Sequence, residues 1–206
     1  MVRGTRKTAF ALALGAVTVL GGCKKSDNAA DTTMASADTS MKAGTGSSTS
    51  MNAPAPAAAM TDAGIFAMLA AANQGEVAAG KMAETKATSA SIKAFARDMV
   101  VAHTKMLNEG NALAKRLKVT PDTAAADSIN ASNQSTGAAL SSAAKGAAFD
   151  SAYVNAQVAG HEYVLDMVKR AEGVAQNADL KTMLTKAEPN VQKHLDRIKD
   201  IQGKMK

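Results

Sequence analysis

Between Ser91 and Leu117 the chain reads SIKAFARDMVVAHTKMLNEGNALAKRL, and Ile92, Phe95, Met99, Met106, Gly110, Leu113 and Leu117 recur in it three and four residues apart. That spacing places them on one face of a long amphipathic helix, which is stable only if the face is buried against other helices. One position breaks the pattern: His103 stands on the stripe where a core side chain is expected.

Three other segments repeat both the stripe and its interruption. The first, from about Thr61–Asp62 to Thr88, carries Phe66, Leu69, Ala72 or Asn73, Glu76, Gly80, Ala83 and Ala87, and its small residues require partner helices to approach closely. The third, opening after Gly146, carries Phe149, Tyr153, Gln157, His161, Val164, Val168, Ala171 and Ala175. The fourth, after a break at Asn177, carries Leu180, Leu184, Ala187, Val191, His194, Ile198 and Ile201. Pro189 lies inside it, where the missing N–H and the ring predict a kink or two helices end to end. Aromatic residues make up only 3% of the chain and alanine supplies most of the apolar count, which favours helix over strand.

The links between these segments are short, long and short. Ser89 or Ser91 can cap the second helix, which is expected to stop near Lys118, before Val119-Thr120-Pro121-Asp122. Residues 123–146 are mostly Ala, Ser, Asn and Thr with Ile129 and Leu140 as the sizeable anchors, and read as a weak helical connector. The expected fold class is all-α: an antiparallel, ferritin-like four-helix bundle with one long crossover, spanning residues 61–206.

Residues 1–22 read as a targeting segment. Arg3, Arg6 and Lys7 precede an uncharged apolar run from Ala9 to Leu20, too short for a permanent membrane span. The run closes on Leu20-Gly21-Gly22-Cys23, which resembles the bacterial lipobox. That resemblance implies that Cys23 is lipidated and becomes the first mature residue, anchoring the protein to a membrane. Cys23 is also the single cysteine of the chain, so no disulfide or Cys-ligated metal is available. Lys24 after it resembles outer-membrane sorting, and the expected location is the periplasmic side of the outer membrane. Residues 23–60 lack helical periodicity and read as a flexible tether, along which Met34, Met41, Met51 and Met60 recur.

Removal of residues 1–22 takes away three basic and no acidic residues, leaving 24 − 3 = 21 Lys plus Arg against 18 Asp plus Glu, a formal charge of +3. Without a concentrated basic patch or interleaved aromatics, nucleic-acid binding is not expected.

Four stretches taken together, GEVAAGKMAETKA, IKAFARDMVVAHTK, GAAFDSAYVNAQVAGHEYVL and AEPNVQKHLDRI, resemble the bacterial domain-of-unknown-function family 4142. The resemblance implies an envelope protein with a ferritin-like bundle and no established activity. Val101-Ala102 departs from it, since the family often has acidic residues just before the second-helix histidine.

The constellation that carries chemistry is Glu76, His103, His161 and His194, one on each stripe. Counted from the short turns near Thr88 and Asn177, Glu76 and His103 lie at similar depth, as do His161 and His194. A mismatch of two or three residues is about 3–5 Å along a helix. Buried without partners, these groups are costly, so they must satisfy one another or bind something. Three neutral imidazoles and a carboxylate suit a single Zn, Cu or Fe ion. The alternatives are a ligand-free His–Glu network that fixes helix register and a set of partly exposed histidines. Di-iron chemistry is disfavoured because Val100, Val158 and Val191 stand where its Glu-x-x-His pairs require glutamate. Met99 and Met106 flank His103 and permit a Cu(I) variant, though ordinary core packing explains them as well, and Asp98 and Glu162, beside the stripes, are either supporting partners of the histidines or solvated residues. No convincing nucleophile or phosphate loop is present, so a binding or envelope-maintenance role is expected ahead of a metal-dependent enzyme or a module that contacts another envelope protein.

Overall fold

The computed structural model describes residues 60–205, and all regular structure among them is helical. Five α-helices follow one another: α1 Asp62–Lys86, α2 Ala90–Leu117, α3 Asp127–Ser142, α4 Ala147–Val174 and α5 Ala178–Gly203, with a 3-10 turn at Thr123–Ala126 leading into α3. The targeting segment, Cys23 and the tether up to residue 59 lie outside the described residues. Among those described, no helix is long and apolar enough to cross a membrane.

Local chemistry sets the ends of the helices. Thr61 Oγ1 accepts from the Gly64 amide at 3.1 Å and starts α1. Asn177 Oδ1 accepts from the Asp179 and Leu180 amides and starts α5. At the end of α2, Lys118 turns into the left-handed region with φ 56°, and the Val119 amide closes onto the Ala114 carbonyl at 3.0 Å. Ser89 occupies the position before α2, yet its hydroxyl caps nothing there and pairs with Ser91 instead.

The two short turns are tied by carboxylates from the opposite helix pair. Asp150, buried on α4, accepts from the Thr88 and Ser89 amides and from the Thr88 hydroxyl at the α1–α2 turn. Asp62, in the first turn of α1, accepts from the Gln176 and Asn177 amides at the α4–α5 turn. Each clamp satisfies backbone donors that neither turn satisfies by itself, and together they fix how far one helix pair can slide along the other.

The main packing partners are α1 with α2 and α4 with α5, with further contact between α1 and α4 and between α2 and α5. Gly80 permits a close α1–α2 approach, since a Cβ there would meet Val100 Cγ2 at 2.8 Å. The connector is more ordered than its composition predicts. Ile129 and Leu140 are buried as expected, and α3 lies against α1 with Asn133 Nδ2 donating to the Ala71 carbonyl at 2.9 Å. α1 is therefore covered on an additional side, which explains why Ile65 and Met68, off the predicted stripe, are also buried. Met60, read as the last residue of the tether, is buried in the same core. α5 runs without interruption through Pro189, so the division into two helices does not occur.

The core has two apolar clusters. One gathers Met60, Ile65, Phe66, Met68, Leu113, Met167, Leu180 and Leu184. The other gathers Ile92, Phe95, Met99, Phe149, Tyr153, Leu195 and Ile198. On α1, α2 and α4 the polar residues Asn73, Glu76, His103, Gln157 and His161 fall between the stretches assigned to the two clusters. On α5, His194 immediately precedes the second.

Candidate metal centre

Between the two apolar clusters the histidines of α2, α4 and α5 converge. The ring centroids of His103 and His161 are 5.7 Å apart, those of His103 and His194 5.4 Å, and those of His161 and His194 5.6 Å, a nearly equilateral triangle. One nitrogen from each ring lies within 4.8 Å of the other two. His103 and His161 are buried and His194 is partly buried.

The surrounding hydrogen bonds decide which nitrogens are free. Asn73 donates its amide N–H to the Leu69 carbonyl at 2.7 Å and so presents Oδ1 to His103 Nδ1 at 2.9 Å. His103 must therefore carry its proton on Nδ1, leaving Nε2 with a lone pair. His161 Nδ1 donates to the Gln157 carbonyl one turn earlier, also at 2.9 Å, and leaves Nε2 in the same condition. His103 Nε2, His161 Nε2 and His194 Nδ1 are all buried and have no hydrogen-bond partner among the described residues. A buried polar nitrogen without a partner is unfavourable by about 1–3 kcal/mol. Three of them in one triangle form a donor set suited to a cation.

Burial and neighbouring groups keep two of the rings, His103 and His194, deprotonated. Burial, followed by the neighbouring His161 and His194, holds His103 down to about 3. Burial, then His161, Arg197 and Lys193, holds His194 down to about 4, with Asp98 acting in the opposite sense. A metal arriving at neutral pH therefore meets little proton competition at these two rings.

Glu76 reaches this layer but not the free nitrogens. Its Oε2 accepts from Gln157 Nε2 at 2.7 Å, and its Oε1 lies 3.8 Å from His161 Nδ1, the nitrogen already committed to the Gln157 carbonyl. The structure thus brings together the three predicted histidines and sets the predicted glutamate behind one of them, where it orients Gln157 and favours a proton on His161 Nδ1. Asp98 and Glu162, for which a supporting and a solvated role were both open, face outward, where they pair with Arg197 and Lys199. The supporting role belongs to the Asn73 side chain and to the backbone carbonyl of Gln157. Asn73 lies on the predicted stripe three residues before Glu76, and a second polar residue one turn from the first was the available signal, whereas a backbone carbonyl leaves none in the sequence.

A cavity of about 30 Å³ adjoins the triangle, lined in part by Asn73, Glu76, His103, Met106 and His161. It has room for a water molecule and no room for an organic substrate. Met106 reaches it, while Met99 is fully buried in the second apolar cluster.

The family model described as "Domain of unknown function (DUF4142)" matches residues 47–201. No curated protein matches the chain. Among solved structures, one described as "CopM in the Cu(II)-bound form" is similar with a TM-score of 0.54 at 16% identity, covering 68% of this chain and 95% of that one. At that identity the likeness is one of fold.

Proposed function

This chain belongs to the DUF4142 family, and on that premise we propose that it is a metal-binding protein of the cell envelope that holds one copper ion on His103, His161 and His194. The observation that carries this reading is the triangle of three buried, unpartnered imidazole nitrogens, two of them fixed in the lone-pair-inward tautomer by Asn73 and by the Gln157 carbonyl. Imidazole nitrogen bonds first-row ions at about 2.0–2.1 Å, and nitrogens already within 4.8 Å of one another need only small ring rotations to share one ion. Copper is favoured over zinc and iron because the donors are neutral, copper stands highest for nitrogen ligands, and the Met106 thioether lines the adjoining cavity. The Cu(II)-bound neighbour of similar fold supports the same choice.

In this reading α1, α2, α4 and α5 form the antiparallel, ferritin-like bundle, α3 belongs to the crossover, and Cys23 carries the lipid that tethers the bundle to the periplasmic face of the outer membrane. The water-sized cavity favours binding over catalysis on an organic substrate. The test is metal analysis and calorimetric titration of the full chain, purified without an affinity tag. One Cu(II) per chain is expected, with loss of binding in His103→Ala and His161→Ala. Copper bound equally well by both variants would refute the assignment.

A further inference from the structure

The His layer has a second, larger opening beside it. A groove of about 550 Å³ runs between α1, α2 and α5. Leu69, Asn73, Met106 and Ala187 line both this groove and the small cavity at the histidines, so one wall is common to the two. Two thioethers stand along the groove, Met106 on α2 and Met183 on α5, both half-buried. Met106 follows His103 by three residues, less than one helical turn, and so shares its face of α2.

The charges of the groove cancel. Glu109 and Asp179 are offset by Arg116 and Lys186, and Arg116 is bonded to Asp179 at 2.8 Å. Glu109 lies 3.9 Å from Lys105. A hydrated divalent ion finds no net negative field there and no unpaired carboxylate. On the wall shared with the small cavity the Asn73 amide is already committed to Leu69 and His103, which leaves the soft, neutral thioether of Met106, and thioether sulfur selects Cu(I) among biological metals.

Building on the copper reading above, we infer that the groove is the loading route for Cu(I), with Met183 and then Met106 as successive thioether ligands that pass the ion to His103. The ion stays monovalent throughout: each step exchanges one copper–sulfur bond for another or for a copper–nitrogen bond to the lone pair of His103 Nε2, and no electron or proton is transferred.

The experiment follows uptake of Cu(I), presented anaerobically as its complex with a chromophoric chelator, by the full chain. Leucine replaces methionine with little change of volume, so the variants retain the fold. Met106→Leu is expected to slow Cu(I) uptake by about tenfold or more, and Met183→Leu by less, with final stoichiometry unchanged. Met99→Leu, which alters a buried thioether away from the groove, leaves the rate as in the wild type, and Zn(II) uptake is the same in all variants. Equal Cu(I) rates in the wild type and Met106→Leu would overturn the route, as would a parallel slowing of Zn(II), which would show a steric effect. A wild-type chain that takes up neither ion would refute the site itself and the route with it, a result distinct from a site that fills at a rate indifferent to Met106.

Discussion

Two layers of the same four helices illustrate opposite ways of filling a core. In the layer nearer the α1–α2 turn, Phe149 stacks on Tyr153 with planes 9° apart and Phe95 meets Tyr153 edge-on, while Met99 and Ile198 are fully buried around them. Packing accounts for that layer apart from the buried Tyr153 hydroxyl. In the His layer the Asn73 side chain and the Gln157 backbone carbonyl each orient one imidazole, Glu76 bonds to the Gln157 side chain, and His103 Nε2, His161 Nε2 and His194 Nδ1 bond to nothing in the described chain. The aromatic layer stabilises the fold, and the His layer spends stability to hold a donor set ready.

The sharpest way to separate the two is truncation of the aromatic layer. Phe149→Ala should lower the unfolding free energy by about 3–5 kcal/mol, read by urea denaturation, while the folded fraction still binds one copper ion. Loss of copper binding in that folded fraction would mean that the layers are not independent.

Acid should act on the His layer instead. His103 and His194 are held at about 3 and about 4 in the fold, below the ordinary 6.5, by burial and by neighbouring positive charge. Between those values and 6.5 the unfolded chain binds protons that the folded chain excludes, so the metal-free protein should lose stability as pH falls through this window. His103 alone contributes a slope of at most about 1.4 kcal/mol per pH unit. Melting temperatures of the metal-free protein between pH 7 and 4.5 test this, and His103→Leu should flatten the dependence.

A smaller effect falls on the supporting side chain. Asn73→Leu leaves all three ligands in place but releases the orientation of His103, and should weaken copper by about 10–100-fold in competition titrations. An undiminished affinity would indicate that this imidazole orients itself. Smallest of all is Tyr153→Phe in the aromatic layer. The Tyr153 hydroxyl is buried without a partner among the described residues, so its removal should change stability by no more than about 1 kcal/mol and leave copper binding intact.

The contrast between the layers also explains what the sequence revealed. Helix positions were legible because each stripe keeps its period over many turns, and the His triangle because its members are polar residues at matching depth on such stripes. The convergence of Glu76 with the histidines was also anticipated, but its rotamer was not, since depth along a helix does not say which side chain a carboxylate meets. For Asp98 and Glu162 the sequence left both a supporting and a solvated role open, because a residue beside a stripe can turn either way, and Arg197 and Lys199 lie outside to receive them. The order of α3 was under-read because it rests on two anchors and on Asn133 bonding to the backbone of α1, neither of which produces periodicity. The two turn clamps, Asp62 and Asp150, were invisible for a related reason: each acts on a turn far away in the chain.

The most direct test of the account counts the imidazoles on the metal. Pulsed electron paramagnetic resonance of the full chain loaded with one equivalent of Cu(II) should show three bound imidazole nitrogens in the wild type and two in His194→Ala. A spectrum with fewer than three in the wild type, or one unchanged by His194→Ala, would contradict the assignment of the buried triangle as the binding site.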